Sequence, residues 1–186
     1  MGCDVSETGA GTPFILSLGS NMGDRLAHLE RGIRHLARAV SIEAVSTVVE
    51  SPVWAPSPPQ PDFLNLVLRG RTDRDARGLL ELAQSAEHSA GRVRSVRRGP
   101  RTLDVDIIFF GSEVIDSPEL TVPHPRWSER PFVFHLVPEV AGEMVEPGTG
   151  ERLRDLLPTG PIPPEIVPVA GSSTSWRITT GTRARD

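Results

Sequence analysis

The sequence predicts an α+β fold of the ferredoxin-like type: a β-α-β-β-α-β sandwich, an antiparallel sheet with helices on one face, plus extra C-terminal elements. Three observations predict it. Four short apolar or β-branched runs, FILSLGS, IEAVSTVVE, FLNLVLRG and LDVDIIFFG, read as strands. Two segments with helical spacing lie between the first and second runs and between the third and fourth. A stretch with five prolines, residues 51–62, separates the second and third strands and has to be a loop.

Taken in order, residues 14–20 form a strand that runs into a Gly-Ser-Asn turn. Asp24 or Asn21 caps the next helix, in which Leu26, Leu29, Ile33, Leu36 and Val40 recur at helical spacing. Residues 42–50 form a second strand. In the third, residues 63–70, Phe63, Asn65 and Val67 face one way and Leu64, Leu66 and Leu68 the other. Thr72 or Asp73 caps a second helix through about Ala90, with Leu79, Leu82, Ala83 and Ala86 as its buried stripe. The fourth strand points Val105, Ile107 and Phe109 to the core. SEVID pairs back as an edge hairpin, a short helix starts near Glu129, and GERLRDLLP adds a helical turn or two. The expected division is a flexible N-terminus over 1–12, one domain over 13–158, and a Pro/Gly/Ser/Thr-rich tail over 159–186 that is extended or disordered.

Composition narrows the function. At 186 residues the chain can bury a full core, and it carries no apolar run of the ~18 residues a membrane helix needs. The start lacks the basic and apolar regions of a signal peptide, and Cys3 is the single cysteine, so a cytoplasmic protein without disulfides is expected. All 20 basic residues are arginine. Without lysine there is neither a P-loop nor the strand lysine of a protein kinase, so any phosphate has to be held by arginine forks.

Arginines do cluster. Arg92, Arg94, Arg97, Arg98 and Arg101 fall within ten residues, followed by Asp104 and Asp106. Two residues apart on a strand, those carboxylates project from one face. As hard oxygen ligands they suit Mg²⁺, which takes its other ligands from water and substrate phosphates. Alternatively they neutralise Arg97, Arg98 or Arg101 in a solvated loop. A nucleic-acid footprint is a third reading, opposed by the net charge of -4 and by only nine aromatic residues. The five histidines lack zinc-ligand spacing.

RRGPRTLDVDII, residues 97–108, resembles the signature of 6-hydroxymethyl-7,8-dihydropterin pyrophosphokinases, enzymes of folate biosynthesis. LSLGSNMGDR, ESPVW, PDFLN, AGRVR, LTVPHPR with Arg130, and PFVF agree in the same order, so the resemblance runs from about Phe14 to Leu157. It implies pyrophosphoryl transfer from ATP to the hydroxymethyl group of the pterin, with release of AMP. It also implies that Asp104 and Asp106 hold two Mg²⁺ ions, and that Arg92, Arg94 and Arg101 serve the triphosphate, Arg92 and Arg101 catalytically. Glu87, Ile107, Thr121, His124 and Arg130 match positions around the nucleotide. Phe63 and Phe132 would sandwich the pterin, Asn65 and Asp104 would bond its polar edge, and backbone at Ser51, Pro52 and Trp54 would complete the pocket. Arg98 departs from the pattern, standing where the family often has a tryptophan. The expected partners are small molecules, ATP and the pterin, with no nucleic acid or membrane, and the expected unit is a monomer. A ferredoxin-like nucleotide sensor without turnover is the competing class.

Overall fold

The computed structural model describes residues 10–53, 59–92, 99–156 and 162–169. Strand β1, Thr12–Ser20, leads into helix α1, Arg25–Leu36, whose N-terminus is capped by Asp24: its Oδ1 accepts from Ala27 N at 3.1 Å. Leu29, Ile33 and Leu36 are its buried stripe, while Val40 packs beyond its end.

The expected second strand is two strands, β2 (Ser41–Val45) and β3 (Val49–Ser51). Both pair antiparallel with β4, Phe63–Thr72. Ser46 causes the break. Its Oγ accepts from Val67 N at 2.9 Å, so a side chain replaces a ladder carbonyl there.

Helix α2, Ala76–Ser89, is capped by Asp75 rather than by Thr72 or Asp73. Asp75 Oδ1 accepts from Gly78 N at 2.8 Å, whereas Thr72 Oγ1 is taken by Arg74 N in the preceding turn. Strand β5, Asp104–Phe110, follows. SEVID does turn into a hairpin, though with a later partner: β6 (Ile115–Asp116) pairs with β7 (Thr121–Val122) in a separate two-stranded sheet. Helix α3, Pro131–Val140, a single 3₁₀ turn at Leu153–Asp155, and strand β8, Val167–Pro168, complete the elements among the described residues.

The main sheet runs β5-β1-β4-β3-β8, with β2 beside β4 next to β3. This is the order of the split sandwich. One face carries α1 and α2 over a core that includes Phe14, Leu16, Leu18, Leu66 and Leu68. The C-terminal addition covers the other face: Val133, Leu136 and Val137 of α3 pack with Ile15, Val67 and Phe109. Phe109 therefore sits opposite the face occupied by Val105 and Ile107, against the expected alternation. The register between β1 and β5 shifts at this point, with Leu16 opposite Ile107 and Ile15 opposite Phe109. One inserted residue, Ile108, reverses every side chain beyond it. Among the described residues no helix is long and apolar enough to cross a membrane.

Candidate active site

Pairing register builds the site. Gly19, near the end of β1, stands opposite Asn65 of β4 on one side and Asp104 of β5 on the other. Ser17 is likewise opposite Val67 and Asp106. Residues opposite one another in an antiparallel pair share a face. Asn65 and Asp104 thus flank Gly19 in one row, and Asp106 projects from the next. That row has space only because position 19 lacks a side chain: a Cβ there would lie 2.8 Å from Asn65 Oδ1.

Three arginines converge on the two aspartates. Arg92 donates to Asp104 Oδ1 at 2.6 Å and also reaches Glu87; Arg101 donates to Asp104 Oδ2, and Arg130 to Asp106 Oδ2. Glu87, buried on α2, also accepts from Val105 N at 3.0 Å, which ties the end of α2 to the start of β5. Glu87, Asp104 and Asp106 balance Arg92, Arg101 and Arg130 charge for charge. Burial raises the pKa of Asp106, but the Arg130 guanidinium, its hydrogen bond, and nearby His124 and Arg101 outweigh it and hold the group below its usual range. Burial favours the neutral form of His124 too, but for an imidazole that lowers the pKa instead of raising it. Asp106 works against that shift and Arg130 and Arg126 reinforce it, so its pKa is lowered. His124 Nδ1 accepts from Arg126 N at 3.2 Å, and His124 N donates to Ile108 O at the bulge.

One cavity brings together Ser51, Pro52, Phe63, Asn65, Arg101, Asp104, Asp106, Arg130 and Phe132, all candidates from the sequence. Asn65 Nδ2 donates to Ser51 Oγ at 2.9 Å, fixing the amide. Arg92 joins through Asp104, and Glu87 through Arg92, without lining the cavity, and Thr121 and His124 lie outside its lining. Ile107 puts its side chain in the α1/α2 core, so only its backbone is left to meet a ligand. Trp54, Arg94, Arg97 and Arg98 lie outside the described residues.

The site also contains what the sequence reading passed over. Asn21, considered only as a helix cap, is buried and bridges two loops: its Nδ2 donates to Gln60 Oε1 and Pro61 O, both at 3.0 Å, and its Oδ1 accepts from Arg101 N at 2.7 Å. Gln60 and Arg126 line the cavity as well. The Gly-Ser-Asn turn was the available signal, since a buried asparagine with no helix to cap needs other partners.

Among the described residues no three His, Cys, Asp or Glu side chains are grouped to hold a metal. Asp104 and Asp106 alone offer part of a coordination shell. That donor set suits a hard cation that brings the rest of its ligands, phosphate oxygens and water, along with it.

A model of the family described as "7,8-dihydro-6-hydroxymethylpterin-pyrophosphokinase (HPPK)" matches residues 15–142. A Bacillus subtilis protein named 2-amino-4-hydroxy-6-hydroxymethyldihydropteridine pyrophosphokinase is 39% identical over 137 residues, 72% of this chain and 81% of that one. The Aquifex aeolicus protein of the same name is 34% identical over 149 residues, 80% and 92% of the two chains. Among solved structures, Plasmodium falciparum HPPK-DHPS superposes with a TM-score of 0.60 at 13% identity, over 81% of this chain. This chain spans 46% of that longer protein, and the likeness speaks for the fold alone. With the family pattern matched over most of its length, the chain belongs to the 7,8-dihydro-6-hydroxymethylpterin-pyrophosphokinase family.

Proposed function

We propose that this chain transfers the pyrophosphoryl group of ATP to the hydroxymethyl oxygen of 6-hydroxymethyl-7,8-dihydropterin, a step of folate biosynthesis that releases AMP. Family membership supports the activity. The observation that carries the assignment of roles is a single cavity with two carboxylates side by side, arginines bonded to them, and Phe63, Asn65 and Phe132 on its walls.

Phe63 and Phe132 offer aromatic surfaces to a flat heteroaromatic ring, while Asn65 and Asp104 read its polar edge. Backbone at Ser51, Pro52 and, by resemblance, Trp54 completes the acceptor side. Arg92, Arg94 and Arg101 serve the triphosphate, and Glu87, Ile107, Thr121, His124 and Arg130 surround the nucleotide. Asp104 and Asp106 would hold Mg²⁺, two ions in this reading, which when bound would neutralise phosphate charge and lower the pKa of the attacking hydroxyl.

The arginines stand ready for an exchange of partners. Arg92 and Arg101 leave Asp104 for phosphate oxygens as the triphosphate enters, so that no guanidinium is left unpaired in a half-buried site. The hydroxymethyl oxygen then attacks the β-phosphorus. The bond from that phosphorus to the oxygen bridging to the α-phosphate breaks, AMP departs with the electron pair, and the hydroxyl proton passes to solvent. Arginines aimed at the charge that develops on the leaving oxygen act on the transition state more than on binding. No side chain is assigned as a general base. The working unit in this reading is a monomer in the cytoplasm.

Measuring AMP release from ATP and Mg²⁺ with and without the pterin tests the reading. Release that depends on the pterin is expected. Tight nucleotide binding without any pterin-dependent release would instead identify a sensor.

A further inference from the structure

Residues 162–169 lie beyond the stretch that the family pattern covers, and their composition suggests no role. They nevertheless extend the main sheet. Val167 pairs with Glu50 and Pro168 with Val49, while Val169 N donates to Val48 O at 2.9 Å. Ile166, 5% exposed, is anchored in the α3-side core together with Val49 and Val67. Pro168 has no N–H to offer a further strand, which suits an outermost position.

The strand they grip is short. β3 spans three residues, and such a piece is marginal unless both edges are held. Its other edge forms the wall of the cavity: Ser51 is opposite Phe63, and Ser51 Oγ fixes the amide of Asn65. The triphosphate side, Asp104 and Asp106 on β5, is separated from β3 by β4 and β1.

We infer that residues 162–169 are a strap that positions the acceptor half of the site. By clamping β3 the strap holds Ser51 against Asn65 and Phe63, and so sets the affinity for the heteroaromatic substrate without touching it. The inference rests on the reading of this pocket as the pterin site. Because β5 lies at the far edge of the sheet, nucleotide affinity is independent of the strap.

Full-length variants test it. Ile166→Asp removes the buried anchor, and Val169→Pro removes one backbone donor while leaving Ile166 in place, so a folded variant remains if the first fails. Val167→Thr changes a side chain that is 52% exposed and serves as control. The readouts are KM for the hydroxymethyldihydropterin, KM for ATP, and the pterin Kd by calorimetry with a non-hydrolysable ATP analogue. Both strap variants raise pterin KM and Kd by about threefold to tenfold, the scale of one or two hydrogen bonds. ATP KM stays within about twofold in both, and Val167→Thr changes neither substrate, since surface substitutions have small effects. Asn65→Ala separates the two readings. If it weakens pterin binding while the strap variants do not, or if they weaken both substrates alike, the strap is overturned and the pocket stands. If Asn65→Ala leaves pterin Kd unchanged, the pocket assignment falls, and the strap with it.

Discussion

Replacing Asn21 with Ala should uncouple the two halves of the site. The backbone bond from residue 21 N to Arg101 O survives the change, but three side-chain bonds are lost, to Gln60 Oε1, Pro61 O and Arg101 N. At ~0.5–1.5 kcal/mol each they amount to about 1.5–4.5 kcal/mol of folding stability, the upper end applying if Arg101 N and Pro61 O find no water. Asn21→Asp keeps an acceptor for Arg101 N but turns a carboxylate oxygen toward Pro61 O, which can only accept, so it should be no more stable than Asn21→Ala. Urea denaturation at unchanged m-value measures the stability term. Asn21 also joins the residues before Phe63 to the segment carrying Arg101, one on each substrate's side. In the unaltered protein a non-hydrolysable ATP analogue should therefore tighten pterin binding, and the pterin should tighten nucleotide binding by the same factor. Calorimetry of each ligand with and without the other should find that factor close to one in Asn21→Ala. A variant that loses less than about 0.5 kcal/mol and keeps full coupling would refute the reasoning.

Three further outcomes follow from the site. Asp104→Ala and Asp106→Ala should each remain folded by circular dichroism yet lose turnover, a deficit of several kcal/mol at the transition state; near-normal kcat in either would remove the metal assignment. Arg92→Ala and Arg101→Ala should lower kcat by ~10²-fold or more, and a loss confined to KM would reduce them to long-range attraction of ATP. The third outcome is a pH dependence in ligand-free, metal-free protein. The folded pKa of His124 lies below the ordinary imidazole value of 6.5, so in the window just under 6.5 the unfolded chain binds the proton first. Stability should fall as pH drops through that window, and His124→Gln should flatten the profile there in thermal denaturation. Asp106 works in a separate range: its depressed pKa gives stability that is present above 3.8 and lost as pH falls through the folded value.

Much of this molecule could be read from local pattern. The strands of residues 14–20 and 63–70, the stripe of α2, and the shared face of Asp104 and Asp106 follow from periodicities of 2 and 3.6. The misreadings share a cause, in that local pattern is blind to partners across space. Phe109 turns to the α3 side because the bulge at Ile108 is set by pairing with β1, which its own strand does not reveal. Ser46 looked like part of a β-branched run, and only the nearness of Val67 N makes it a break. Asn21 looked like a cap because its true partners are 39 to 80 positions away. β8 was hidden by prolines that are compatible with an outer edge. The paired charges were legible as a choice between an ion-pair cluster and a metal–phosphate site. Of the arginines named for the ion-pair reading, Arg101 does pair with Asp104, joined there by Arg92, while Asp106 pairs with Arg130; Arg92 and Arg101 are the groups that the proposed reaction would redirect to phosphate.

Following the β-phosphorus tests the central claim most directly. ATP labelled with radioactive phosphorus at the β position, incubated with the protein, Mg²⁺ and hydroxymethyldihydropterin, should pass its label to the pterin product, leaving unlabelled AMP. Label that stays with the nucleotide as ADP would mean that only the terminal phosphate had moved, and would contradict the account.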